Sequence, residues 1–333
     1  MGNGPPRTYR EAGVDIDLEA EAISALVRNL SFRREGRFRM VSPPGHFAGF
    51  VECGRYVLAL TVDGVGTKMK VADRLRDWTT VGIDCMAMNV NDLYVMNIEP
   101  VAFVDYIAAD SLSVEQMAQI GAGLNEGARQ ANVSIVGGET ATLKGLVNGL
   151  DLAGTCLGIQ EKERVICGGK IRPGDVIIGV ASSGIHSNGL SLARRIVESL
   201  DAWDERLSSG RTIARELLVP TRIYREALDV ASETEVHGMC HITGGGLLNF
   251  TRLSRYGFDI TDPMPPHEIF TWIREKGKIG TVEMYRTFNM GMGYAYIVPG
   301  PSVDAVLSRV EGSRVVGSVS ETPGVRLAGT PIQ

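Results

Sequence analysis

The chain has 333 residues, 44% hydrophobic and 22% charged, and its 34 Lys and Arg against 39 Asp and Glu leave a net charge of −5. That much apolar material excludes a disordered chain, and at about 150 residues per domain the prior is two domains. The near balance of charge lacks the basic excess of a dedicated nucleic-acid binder, and no apolar run reaches the ~20 residues of a membrane span.

Five scattered cysteines, Cys53, Cys85, Cys156, Cys167 and Cys240, read as reduced thiols of a cytoplasmic protein. The start, Met1–Pro6, has no apolar core of a secretory signal and reads as a frayed end. Forty glycines fall in short clusters beside charged residues, as in turns where backbone approaches something closely.

In chain order, Leu18–Leu30 carries Ile23, Leu26, Val27 and Leu30 at helical spacing. Tyr56–Val62 reads as a buried strand that stops at Asp63-Gly64. Thr79-Thr80 caps a helix to about Leu93 with Ile83, Met86, Ala87 and Val90 as its apolar stripe. Val101–Ala108 is a strand, and Ser113–Gln130 a helix with Val114, Met117, Ile120 and Leu124 inward. Val133–Val136 is a strand ending in Gly137-Gly138-Glu139-Thr140, and Asp151–Ile159 is another.

Turn residues break the pattern around Cys167–Asp175, which places the boundary between a domain of residues 1–166 and one of 167–333. Beyond it, Val176–Val180 is a strand, Asn188–Leu200 a helix and Trp203–Thr212 an exposed loop. Pro220–Ala231 is helical in pattern, Gly244-Gly245-Gly246 opens a helix through Leu253, Glu268–Glu275 is a helix and Tyr294–Val298 a strand. Strands and helices mix in both halves, so the class is α/β or α+β.

Asp63-Gly64-Val65-Gly66-Thr67-Lys68 puts a carboxylate at a strand end, followed by two glycines, a hydroxyl and an ammonium. Mg²⁺ takes carboxylate oxygens, and phosphates take amides and Lys, so the set suits a Mg²⁺–triphosphate. It is neither a P-loop nor a Gly-x-Gly-x-x-Gly fingerprint, and it reads equally as a hairpin turn. Asp84 and Asp92 share a helix face, although each alone also reads as a solvated or capping group. With Glu139, the acids Asp63 and Asp92 point to a metal–phosphate pocket.

Ser182-Ser183-Gly184-Ile185-His186-Ser187-Asn188-Gly189 lies between a strand and a helix, where free amides and hydroxyls suit an anion. His186 is placed there to exchange a proton near neutral pH; the alternative is a surface histidine beside a Ser187 or Asn188 cap. His241-Ile242-Thr243-Gly244-Gly245-Gly246 repeats the logic, or is a flexible connector. His237 and His241 have no third partner that would make a zinc site. Met284–Met292 reads as core, with Arg286 the one residue suited to a phosphate. Taken alone, these residues describe a soluble, two-domain, Mg-nucleotide-dependent enzyme with a second anion site, and do not identify its reaction.

Together the motifs resemble the phosphoribosylformylglycinamidine cyclo-ligase (aminoimidazole ribonucleotide synthetase) family of purine biosynthesis. The resemblance runs through Tyr9–Ile16, Asp63–Lys68, Val90–Leu93, Glu99-Pro100, Asp105-Tyr106, Gly137–Ala141, Asp151–Gly154, Ser183–Gly189, Pro220–Tyr224, His241–Gly246 and Arg286–Gly291, nearly the whole chain in the family's order. It implies an N-terminal α/β domain that pairs with its copy into a β-barrel across a homodimer, with a C-terminal α/β domain beside it.

It also implies ATP-dependent ring closure of formylglycinamidine ribonucleotide to aminoimidazole ribonucleotide, releasing ADP and phosphate. By that likeness Asp63, Asp92 and Glu139 hold Mg²⁺, and Gly64, Gly66, Thr67, Lys68, Asp105, Gly138 and Thr140 bind the nucleotide. Ser183, His186, Ser187, Asn188, Thr243, Gly244, Gly245, Gly246 and Arg286 bind the ribotide. His186, Asp63 and Lys68 are the expected catalytic groups. Arg10 stands where the family usually has Lys, and Thr142-Leu143-Lys144-Gly145 replaces the usual Glu-Met-Pro-Gly. Related ATP-using families, the thiamine-monophosphate kinases and selenophosphate synthetases, are the nearest rivals, and a catalytically silent nucleotide-binding subunit is a third.

Overall fold

The computed structural model describes residues 5–332, so the first four residues of the end expected to fray lie outside it. The first half runs α1 (Ile16–Asn29), β1 (Gly49–Cys53), β2 (Tyr56–Gly64), α2 (Lys68–Leu75), α3 (Val81–Tyr94), β3 (Glu99–Ala109), α4 (Val114–Ala131), β4 (Ser134–Thr142) and β5 (Leu150–Glu161). Its five strands form one sheet in the order β1-β2-β5-β3-β4, with only β3 and β4 parallel.

The second half runs β6 (Val176–Ala181), α5 (Leu190–Leu200), α6 (Ile213–Leu217), α7 (Glu226–Glu233), β7 (Gly238–His241), β8 (Gly257–Ile260), α8 (Glu268–Gly277), α9 (Thr281–Thr287), β9 (Met292–Val298), α10 (Val303–Arg309), β10 (Ser313–Ser320), β11 (Gly324–Leu327) and β12 (Thr330–Ile332). These strands make a second sheet in the order β12-β11-β8-β10-β6-β9-β7. The fold is therefore mixed α/β with two domains, each built on its own sheet. Among the described residues no helix is long and apolar enough to cross a membrane.

Helix α3 joins the halves. It packs on β2, β3, β5 and α4, and almost every residue in it is buried, not only the stripe expected from its period. A helix that is apolar nearly all round belongs in an interior, and its polar residues are bonded there. Asn91 donates from Nδ2 to the Arg222 carbonyl (2.9 Å) and accepts the Tyr224 amide at Oδ1 (3.0 Å). Asp84 accepts the Thr221 amide at 2.8 Å.

Those bonds explain one departure from the sequence pattern. The Tyr224 amide, which a helix begun at Pro220 would use, is taken by Asn91 of α3, and helix α7 starts only at Glu226. Thr80 occupies the N-cap of α3 but donates its hydroxyl to the Leu218 carbonyl, another link between the halves.

Other expectations shift for plain physical reasons. Strands β2 and β4 continue through Gly64 and Thr142, because a ladder partner is available for each; the glycine-flanked turns expected at Asp63-Gly64 and Gly138–Thr140 are strand. The segment Trp203–Thr212 is an exposed loop, as expected, pinned to the body by Trp203 and Leu207, which are buried. Gly246–Arg252 is a 3₁₀ helix rather than an α-helix. Val114 begins α4 pointing into solvent, whereas Ile120 and Leu124 do face inward.

The stripe Leu18, Ile23, Leu26, Val27 and Leu30 is present on α1 but faces outward in the single chain. So does the far face of the first sheet, through Leu60, Val62, Val101, Val104 and Tyr106.

Helices α3 and α4 cross at glycines. A Cβ on Gly82 would lie 2.1 Å from the Leu124 amide nitrogen and 2.5 Å from the Gly123 carbonyl carbon, both backbone atoms that side-chain rotation cannot move. Gly82→Ala is expected to force the helices apart and to cost about 1–3 kcal/mol, the usual range for overpacking. A urea unfolding midpoint equal to that of the unsubstituted protein is the outcome that contradicts this.

Candidate functional site

The turn between β6 and α5 is held from every side. Ser182 donates its amide to Gly291, and His267 donates from Nε2 to the Ser182 carbonyl at 2.9 Å. The Ser183 hydroxyl donates to Pro220 (2.6 Å), and Asn289 donates to the Gly184 carbonyl (2.9 Å). His186 takes the left-handed backbone conformation (φ +62°), rare for a residue with a Cβ, and is only 1% exposed. It is no surface histidine.

Nor does it exchange a proton near neutral pH. Burial first, then the neighbouring His241, Lys68, His267 and Arg222, push its pKa well below the ordinary 6.5. The ring is neutral, and since Nε2 accepts the Ser183 amide at 3.2 Å, the proton sits on Nδ1. That Nδ1 is buried with no partner.

Other buried polar atoms around the turn are likewise unpartnered: Ser182 Oγ, Asn188 Nδ2, Thr287 Oγ1 and Asp84 Oδ2. Buried polar groups are normally bonded, so a concentration of orphans marks where a ligand's atoms belong. Asn188 lies beside Gly244, which brings the turn Thr243–Gly246 to the first one; there the Asn249 amide bonds the Gly244 and Gly246 carbonyls at 3.2 and 2.8 Å. Arg286 lines a cleft of about 220 Å³ with Tyr9, Arg10, Asp15, Glu283 and Thr287. The N-terminal segment reaches it because the Tyr9 amide donates to Glu283 at 3.0 Å.

On the other side, Asp63 lies in a cross-strand row with Gly154, Asp105 and Gly138. Residues paired across strands share a face, so Asp63 and Asp105 both point to the helical side. Gly138 has no Cβ because the Asp105 carboxylate occupies that space, 2.5 Å from where one would stand. Thr140 falls on the same side as Gly138, two residues along β4. The next row, Gly64–Ala153–Tyr106–Glu139, faces the opposite way.

Glu139 is therefore turned from Asp63 and Asp92 within one chain. Among the described residues no three acidic, histidine or cysteine groups converge as a metal site. Two acids do meet. Burial first and the Asp92 charge second push the Asp63 carboxyl up from 3.8 to about 6, while Asp92 receives a hydrogen bond from His241 Nδ1 at 2.9 Å. Two carboxylates that feel each other's charge suit a divalent ion, which would relieve their repulsion.

Lys68 is fully buried and donates to Asp84 (2.8 Å) and to the Val219 carbonyl (2.5 Å). In this arrangement its ammonium serves Asp84, not a phosphate, which corrects the direct role expected of it. Gly66 and Thr67 precede it at the start of α2, with the Thr67 hydroxyl 3.1 Å from that of Ser191. Sequence reasoning passed over His46 and Arg252. His46 has both ring nitrogens buried without partners, and its pKa is pushed down to about 4 by burial and then by Arg252. Its Gly45-His46-Phe47-Ala48-Gly49 setting, a polar ring among glycines, is the signal that marked it.

Residues 45–160 match the family described as AIR synthase related protein, N-terminal domain, and residues 172–329 its C-terminal domain. Over 323 residues the chain is 49% identical to the phosphoribosylformylglycinamidine cyclo-ligase of Methanococcoides burtonii, covering 96% of each. The chain belongs to the phosphoribosylformylglycinamidine cyclo-ligase family.

The family's member from Pyrococcus furiosus is 44% identical over 326 residues, 96% of each chain. Among solved structures the cyclo-ligase fold seen here is shared with AaThiL complexed with AMPPCP and TMP (TM-score 0.69, 16% identity, 94% of each chain). It is shared too with T. maritima PurL complexed with ADP (TM-score 0.58, 16% identity, 86% of this chain and 44% of that one).

The Asp63 environment has a testable sign. A carboxyl whose folded pKa is raised from 3.8 to about 6 favours the folded state while protonated, and that contribution is lost as pH rises through about 6. In metal-free buffer the unsubstituted protein should lose stability between pH 4 and 6 relative to Asp63→Asn, whose side chain does not titrate. Parallel stability–pH curves for the two proteins exclude the paired-carboxylate arrangement.

Proposed function

We propose that this chain closes the imidazole ring of formylglycinamidine ribonucleotide at the expense of ATP, giving aminoimidazole ribonucleotide, ADP and phosphate. The observation that carries the reading is near-full-length similarity to cyclo-ligases, and the paired turns rich in unpartnered donors support it. The 1–166 part takes the nucleotide and dimerises, and the 167–333 part takes the ribotide.

An amide oxygen leaves poorly. Transfer of the γ-phosphoryl group to the formyl oxygen makes it a phosphate leaving group, the amidine nitrogen attacks the same carbon, and phosphate departs as the ring closes. Positioning and charge neutralisation carry such a reaction.

Neutral His186 donates from Nδ1 to the formyl oxygen, which polarises the carbonyl without a proton crossing at neutral pH. Ser183, Ser187 and Asn188 orient the amidine, and Thr243, Gly244, Gly245, Gly246 and Arg286 receive the ribose phosphate. Gly64, Gly66, Thr67, Asp105, Gly138 and Thr140 receive the nucleotide. Asp63 and Asp92 would hold Mg²⁺, which when bound neutralises phosphate charge. Glu139 faces the outward side of the sheet, where a second subunit packs in the homodimer that we infer. That apolar face and the exposed edge strand β4 support the barrel pairing. Five free thiols accord with a cytoplasmic setting.

ADP should form from Mg-ATP only when formylglycinamidine ribonucleotide is present. Equal release without it, or with thiamine monophosphate in its place, sinks the assignment. His186→Ala should lower kcat by roughly 10²–10³-fold, the range for one preorganised hydrogen-bond donor, with little change in ATP binding. Unchanged kcat removes His186 from the reaction.

A further inference from the structure

Asp84 is wholly buried on α3, so it is not the solvated acid that is one reading of its position in the sequence. Its Oδ1 faces donors from three separate stretches: Lys68 Nζ at 2.8 Å, Ser187 Oγ at 3.0 Å, and the Thr221 amide and hydroxyl at 2.8 and 2.6 Å. Ser187 and Thr221 hydroxyls are themselves 3.2 Å apart, and Lys68 reaches on to the Val219 carbonyl. Lys68 ends the Asp63–Lys68 loop of the first domain, whereas Ser187 sits in the His186 turn of the second.

One carboxylate thus holds the end of the nucleotide loop and the middle of the ribotide turn at once. We propose that Asp84 is a positioning residue that makes the placement of the Lys68 loop depend on that of the Ser187 turn, so that binding at either end of the cleft favours binding at the other. Asp84 acts through Oδ1, whose partners are all groups of the protein. A shift of the turn that lengthens the Ser187 bond loosens the shared acceptor, and with it the anchor of Lys68 and the start of α2.

Charge and shape both matter here. An amide at position 84 keeps one acceptor oxygen but removes the charge that holds a buried ammonium, which leaves Lys68 uncompensated. Coupling between sites is reciprocal and commonly amounts to about 5–150-fold in affinity. The inference rests on the cyclo-ligase reading, and turnover of formylglycinamidine ribonucleotide by the unsubstituted enzyme tests that reading separately.

The experiment measures dissociation of a non-hydrolysable ATP analogue with Mg²⁺, with and without formylglycinamidine ribonucleotide. The unsubstituted enzyme should bind the analogue at least about fivefold more tightly with the ribotide present. Asp84→Asn should reduce that gain to less than about twofold and lower kcat at saturating substrates. Should Asp84→Asn not fold, Thr221→Val removes only one hydroxyl, and it too should reduce the gain while Thr221→Ser restores it. A full gain in folded Asp84→Asn or in Thr221→Val, or no gain in the unsubstituted enzyme, overturns the inference. Absent turnover in the unsubstituted enzyme instead overturns the functional reading.

Discussion

A buried ammonium against a buried carboxylate sits where the two sheets' connections meet. Taking two charges out of water is unfavourable, and losing one partner of such a pair typically costs about 3–5 kcal/mol. Lys68 and Asp84 tolerate burial because each is also bonded to neutral groups, the Val219 carbonyl, the Ser187 and Thr221 hydroxyls and the Thr221 amide. Those neutral partners all come from the second domain. The interior electrostatics of the first domain is therefore satisfied only when the second is in place, and α3 is the element through which that requirement is met.

The same helix explains why two kinds of chemistry sit close together. Its C-terminal end presents Asp92 to His241 of β7, and its first turn presents Asp84 to the His186 turn through Ser187. Acids that gather near Asp63 and donors that gather near His186 are thus arranged on one rigid, buried scaffold. A site supported on a packed helix holds its geometry better than one on free loops.

Much of this was legible in the residues. Apolar runs located β2, β3, β5, β6 and β9, and helical spacing located α4. The turns at Ser182–Gly189 and Thr243–Gly246 stood out by composition and do meet, through Asn188 and Gly244. Glu139 was misjudged because alternation along a strand depends on register: one step from Gly138 to Glu139 moves a side chain to the other face. Pro220–Arg225 has a helical pattern, but its amides answer to Asp84 and Asn91, more than 130 residues away, and local periodicity carries no trace of that. Asp84 did leave a mark, an acid within the apolar run Gly82–Ala87, where an ionised group persists only if something pairs with it.

The left-handed backbone at His186 has a consequence of its own. Glycine would occupy that position with less strain, by something like 1–3 kcal/mol for a non-glycine residue held in an unfavourable region. A chain selected for folding robustness alone would drift to glycine there. Retaining an imidazole instead means the protein trades thermal endurance for a ring held at one angle, and variants hardened against heat at this spot are the ones in which to look for lost competence.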